Sequence, residues 1–141
     1  MKIAGSHTLA LTPERAYEMM QDPEVLARTM PGCESLEKTG EDEYKMKMKM
    51  VLASLSGAFD GKVRIADRNP PSSFRLIVDG TSKLGFMKGE GLLKFAASGE
   101  GTEVSYDGEV QVGGTIAAVG QRFIDSTAKM MIKRFFDKLA S

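Results

Sequence analysis

The groups able to do chemistry in this chain are few. Its 141 residues hold one histidine, His7, and one cysteine, Cys33. A zinc site of the Cys/His kind cannot be assembled from them within one chain, and an intrachain disulfide is excluded, which agrees with a reducing cytoplasm. A Ser-His-Asp triad would have to use His7, which stands in a strand-like segment near the start with no acid or base partner at a recognisable spacing. Cys33 has no cationic neighbour and is followed by Glu34, which raises a thiol pKa rather than lowering it. Its bland reading is structural: Pro31 and Gly32 set a tight link from a helix to a strand, and Pro31, Gly32, Cys33 and Glu34 together read as a motif and interaction loop. The acidic run Glu41-Asp42-Glu43 falls in a turn and reads as solvated. Lys45, Lys47 and Lys49 form a wet strand face, with docking of an acidic partner as the minority reading. No catalytic residue and no metal ligand is assigned.

Composition narrows the classes further. Nineteen basic and nineteen acidic residues cancel, which argues against nucleic acid, whose binding rests on Lys and Arg neutralising phosphates. With 42% apolar and 27% charged residues the chain reads as globular. Its length suits one domain, expected over residues 1–141. No signal peptide is read at the start, and no uncharged stretch reaches the roughly 18–20 residues needed to span a bilayer. What stands out is ten methionines with no tryptophan. Methionine is flexible and polarisable, and it fills irregular or adaptable apolar space.

The elements that position these residues follow from periodicity. A short strand is expected over 2–11. Thr12-Pro13-Glu14 and Asp22-Pro23-Glu24 are helix starts, each with a capping side chain, a proline at the first helical position and an acid in the first turn. Pro31-Gly32 ends the second helix. From Tyr44 the period becomes 2: Tyr44, Met46, Met48 and Met50 point one way, and the three lysines point the other. Phe59, Gly61, Val63 and Ile65 repeat the pattern, as do Phe74, Leu76 and Val78, then Met87, Gly89, Gly91, Leu93 and Phe95, then Val104, Tyr106, Gly108, Val110 and Val112. One-sided alternation with short turns predicts an antiparallel meander, one face charged and the other dry. The dry-face glycines mark sharp bends or room for a close approach. After Gly113-Gly114 a single helix is expected from Thr115 to Leu139, with Ile116, Val119, Gly120, Phe123, Thr127, Met130, Met131 and Arg134 facing the sheet. About 25 residues at 1.5 Å each would cross a whole curved sheet. The fold class is therefore α+β: a curved antiparallel sheet of about seven strands, two short helices after the first strand, and one long C-terminal helix across the sheet.

The segment from Asp22-Pro23-Glu24-Val25-Leu26-Ala27 to Pro31-Gly32-Cys33-Glu34 resembles the signature of CoxG, a family of carbon monoxide dehydrogenase subunits. The Tyr44 strand, Lys88-Gly89-Glu90-Gly91 and Gly113-Gly114 fit as well, so the resemblance covers essentially the whole chain. It implies a START-like (SRPBCC) helix-grip fold, whose relatives hold lipids, polyketides and other hydrophobic molecules between sheet and helix. It implies an accessory protein of a CO dehydrogenase-type molybdenum hydroxylase, linked to membrane recruitment and to the quinone pool. A lipid or quinone is the implied guest, with no covalent cofactor. The implied location is the cytoplasm, peripheral at the inner face of the membrane. Many members carry a linker and apolar tail beyond the long helix; this sequence ends at Ser141, so no transmembrane anchor is expected in it.

The residues expected to line the cavity are Tyr44, Met46, Met48, Met50, Phe59, Val63, Phe74, Leu76, Met87, Tyr106, Phe123, Thr127 and Met130. The bland reading of each is core packing. Cavities of roughly 300–1,000 Å³ are usual for such ligands. Two other readings stay open. A cyclase- or hydrolase-type enzyme of the same fold would need polar groups converging inside, and only Tyr44, Tyr106, Thr127 and His7 are available. A ligand-free protein-docking module would have a filled core. The basic, apolar stretch Lys129 to Leu139 carries Ile132 and Phe136 away from the expected sheet-facing side, where they would cover the short helices, a dimer contact or an anionic lipid surface.

Overall fold

The computed structural model describes residues 1–52 and 55–140; the side chains of 50–52, 55 and 56 lie outside that description. The order is β1 (Lys2–Leu9), α1 (Pro13–Met19), α2 (Pro23–Thr29), β2 (Cys33–Lys38), β3 (Glu43–Leu52), β4 (Leu55–Asn69), β5 (Ser73–Ser82), β6 (Gly85–Ser98), β7 (Gly101–Gly113), a 3₁₀ turn (Gly114–Val119) and α3 (Gln121–Ala140). All seven strands form one antiparallel sheet in the order β1-β7-β6-β5-β4-β3-β2. The chain thus runs as a meander from β2 to β7, and β1 joins the far edge.

Both short helices begin where their capping residues place them. The Thr12 side chain accepts from the Arg15 N–H, and the Asp22 side chain accepts from the Glu24 N–H, with proline following each cap. The helices cover the dry face of the sheet with Ala16, Tyr17, Met20, Val25 and Leu26, all buried. Alternation across the sheet holds. Tyr44, Met46 and Met48 are buried while Lys45, Lys47 and Lys49 are exposed, because one face of the pleat packs on the core and the other meets water. Two dry-face glycines sit where strands approach closely. A Cβ at Gly61 would lie 2.8 Å from the Asp79 carbonyl oxygen, and one at Gly108 would collide with the Glu90 carbonyl.

The C-terminal helix departs from expectation. It starts at Gln121 rather than Thr115. Gly120 takes a φ of 98°, which ends the 3₁₀ turn and resets the helical phase. The face turned inward is consequently different. Ile124, Met131, Ile132 and Phe135 pack against the core, and Phe136 and Leu139 are buried. Phe123 and Met130, expected on the sheet side, are 42% and 43% exposed, and Arg134 faces solvent. Helix α3 comes closest to β1, α2 and the 3₁₀ turn.

Candidate functional site

The dry face of the sheet has two unlike halves. One half lies under α1 and α2. There Phe74 is 1% exposed, Val104 is 0% exposed, and Leu9, Ile65, Leu93 and Phe95 are buried with them. Tyr17, Phe74 and Phe95 form an aromatic cluster with ring centroids 5.3–5.7 Å apart. The polar groups drawn into this half are paired. Tyr17 Oη donates to the Ser73 carbonyl at 3.0 Å, Thr102 Oγ1 to the Leu11 carbonyl at 2.6 Å, and Thr29 Oγ1 to the Val25 carbonyl at 2.7 Å. Such groups would otherwise each cost about 1–3 kcal/mol.

Past Leu93 and Tyr106 the same face changes character. Leu76 and Val78 on β5, Met87 on β6, Val110 and Val112 on β7 and Ile3 on β1 are all apolar, and all are only half-buried. Gly89, Gly91 and Gly108 lie among them. A Cβ on Gly89 would meet nothing closer than 3.9 Å, so a methyl group fits there at ordinary van der Waals distance. Helix α3 lies toward the β1 side of the sheet and carries half-buried Ile124, Met131 and Phe135. The surface offered here is apolar, contiguous across four strands and incompletely covered.

A small polar group stands at its β1 edge. The His7 ring stacks on Phe136 at 4.3 Å and faces Tyr106 at 6.2 Å, with 12° between the His7 and Tyr106 planes. Burial pushes the Tyr106 phenol above its ordinary pKa, and the positive charge of Lys129 partly offsets that rise.

The expected cavity residues are distributed as follows. Tyr44, Met46, Met48, Phe59, Val63 and Phe74 are buried in the packed half and its continuation under α2. Leu76, Met87, Tyr106 and Thr127 are half-buried. Phe123 and Met130 are displaced outward by the phase change at Gly120 and do not face the sheet. The side chain of Met50 lies outside the described residues. Ile132 and Phe136, expected off the sheet-facing side, point inward instead, because the curled sheet brings β1 against the flank of α3. Ile3, Val110, Val112 and Phe136 were missed as site residues. Strand alternation already pointed to the two valines, whereas Ile3 and Phe136 depend on how β1 and α3 meet. Two hollows lie elsewhere. One, of about 580 Å³, sits on the charged face over Arg75, Lys88, Glu90 and Glu109. The other, of about 590 Å³, lies between α1 and Pro70-Pro71. Neither lies between the sheet and α3.

The motif loop has a structural task. Gly32 holds a φ of 80°, and its carbonyl accepts from the Lys49 N–H at 2.8 Å. A Cβ there would run into the Lys49 carbonyl oxygen, so only glycine closes this link between α2, β2 and β3. Pro31 and Cys33 are half-buried and Glu34 is exposed. Cys33 Sγ lies 3.6 Å from the Ser35 carbonyl, and burial pushes the thiol above its ordinary pKa. A thiol held protonated is a poor nucleophile.

The family model for CoxG, a carbon monoxide dehydrogenase subunit, matches residues 5–141. The chain belongs to the CoxG family. Among solved structures, a conserved protein from Geobacillus kaustophilus is 34% identical with a TM-score of 0.94, the match covering 99% of this chain and 93% of that one. A START superfamily protein from Mycobacterium smegmatis is 12% identical with a TM-score of 0.74, over 99% and 94% of the two chains. Ara h 8.0201 is 10% identical with a TM-score of 0.66, over 100% and 99%. The last two show the fold alone: this CoxG chain has the START-like helix-grip fold. No curated protein matches its sequence. Among the described residues of this CoxG protein, no helix is long and apolar enough to cross a membrane, and no group of three His, Cys, Asp or Glu side chains could hold a metal ion.

Proposed function

We propose that this chain is a non-enzymatic accessory protein of a CO dehydrogenase-type molybdenum hydroxylase, and that it holds a hydrophobic small molecule, a lipid or quinone, against the open half of its dry face beneath α3. Its role would be to assist membrane recruitment of the enzyme or electron transfer to quinone. Family membership supports the accessory role. The observation that carries the ligand reading is the change along one face, from sealed core to half-buried Leu76, Val78, Met87, Val110 and Ile3. Apolar surface of this extent left partly wet is disfavoured by about 25 cal/mol per Å², and an apolar guest would recover that free energy. Met87 and Met131 suit a guest of irregular shape.

Native mass spectrometry after incubation with lipid and quinone extracts tests the reading. A bound apolar species, lost on Met87→Lys while the far-UV spectrum stays unchanged, is the expected result. No retained species, and no displacement of a fluorescent apolar probe by either extract, would sink it. A second reading is favoured by a separate observation: Phe86, Phe123 and Met130 are large apolar side chains exposed to water. A docking module would lose capture of the hydroxylase on Phe123→Ser/Met130→Ser while binding no apolar ligand at all.

A further inference from the structure

The two edges of the sheet are built differently. Edge strand β2 carries exposed Glu34, Glu37 and Lys38, and its register shifts between Cys33 and Ser35. Charges and bulges of this kind keep an edge from pairing with another chain. Edge strand β1 has no such guard. Its eight residues pair with β7 without a register break, and from Ile3 to Leu9 it holds no charged residue and no proline. We propose that the outer edge of β1 is a self-pairing surface, through which two copies of this chain join their sheets across a two-fold axis at Gly5.

The hydrogen-bond phase assigns which groups are available. Met1 and Val110 exchange both backbone bonds, at 3.0 and 2.8 Å. Antiparallel bonding alternates, so Ile3, Gly5, His7 and Leu9 bond to β7, while the N–H and C=O groups of Lys2, Ala4, Ser6 and Thr8 point outward. All four of those residues are exposed. Opposed residues in an antiparallel pair share the same bonding state, which restricts the register. The longest symmetric overlap sets Lys2 opposite Thr8 of the second copy and Ala4 opposite Ser6 of the second copy. Gly5 then faces its own copy on the axis, at the close non-bonded spacing of about 4.5 Å, and about eight backbone bonds form.

Charge favours a second copy as the occupant. Thr8 is the register neighbour of Glu103 on β7, and Glu103 is exposed. Lys2 of each copy therefore looks across Thr8 toward Glu103 of the other, at both ends of the interface, and no like charges meet. A two-fold axis makes one patch complementary to itself, so a single uncharged edge supplies both sides.

Analytical ultracentrifugation of the full chain from about 1 to 200 µM tests this, because self-association depends on concentration. A monomer–dimer equilibrium is expected, weakened at least about tenfold by Ser6→Lys or Ala4→Glu, which place charge beside the axis. Glu37→Lys on the β2 edge should leave it unchanged. Ala4→Cys/Ser6→Cys in a Cys33→Ser background should give a reducible covalent dimer on mild oxidation. All four altered positions are exposed or half-exposed, and circular dichroism checks that each variant is folded. A chain that stays monomeric throughout would overturn the proposal. So would a dimer that Ser6→Lys and Ala4→Glu leave intact, or one that Glu37→Lys weakens equally.

Discussion

The half of the dry face under the short helices and the half beyond Tyr106 are made from the same strands and the same alternation, yet they do opposite things. Under α1 and α2, large side chains interdigitate and each buried hydroxyl has a partner. Beyond Tyr106, smaller side chains and three glycines leave apolar surface half-covered. The first half holds the molecule together. The second leaves apolar surface in partial contact with water, and on the proposed reading an apolar guest covers it. Alternation alone makes a dry face; what is laid over it decides whether that face is sealed as core or left half-covered.

The largest contrast should come from truncating one apolar residue in each half. Phe74→Ala removes a ring packed on Tyr17 and Phe95 and should cost about 3–5 kcal/mol in urea unfolding. Met87→Ala, on a half-buried side chain, should cost under about 1 kcal/mol in the same experiment. Equal losses would show that the second half is packed core as well. A finer test uses one residue type twice. Gly61→Ala forces a methyl to within 2.8 Å of the Asp79 carbonyl oxygen and should destabilise by about 1–3 kcal/mol. Gly89→Ala meets nothing within 3.9 Å and should lie within about 0.5–1 kcal/mol of the parent, on the stabilising side, by restricting the unfolded chain. Melting temperatures of the pair decide it.

The smallest effect is in alkali. Both Cys33 and Tyr106 have folded pKa values raised above their ordinary 9.0 and 10.0, so the native state keeps their protons where the unfolded chain releases them. Stability conferred by these groups is full below pH 9 and falls as pH rises above it, first through Cys33 and then through Tyr106. Cys33→Ser should flatten the earlier part of that decline and Tyr106→Phe the later part, followed by denaturant midpoints between pH 8 and about 11. A midpoint insensitive to pH in that window would place both side chains in water.

Much of the fold was legible because local rules and tertiary packing agree. Thr12-Pro13 and Asp22-Pro23 cap helices in the structure as their chemistry demands. Lysines alternating with Tyr44, Met46 and Met48 could form only a strand with one wet face. The site was less legible. Helical periodicity from Ile116 onward is continuous on paper, but one left-handed residue, Gly120, turns the following helix and exchanges Phe123 and Met130 for Ile124, Ile132 and Phe136. Glycine permits that conformation without announcing it. The methionine excess was a sound pointer to apolar surface, yet Met46 and Met48 lie in packed core and Met87 in the open half. Nothing in their local sequence separates them.

The sequence by itself determined the element order, the division of each strand into a wet and a dry side, the glycine link at Gly32 and the family. These depend on periodicity, capping and local sterics, which act over a few residues. Tertiary structure alone decided which part of the dry face is sealed, which flank of α3 turns inward and which sheet edge is left unguarded. Those outcomes depend on where α1, α2 and α3 come to rest against strands distant in sequence, and burial is settled by that cover rather than by the residues covered.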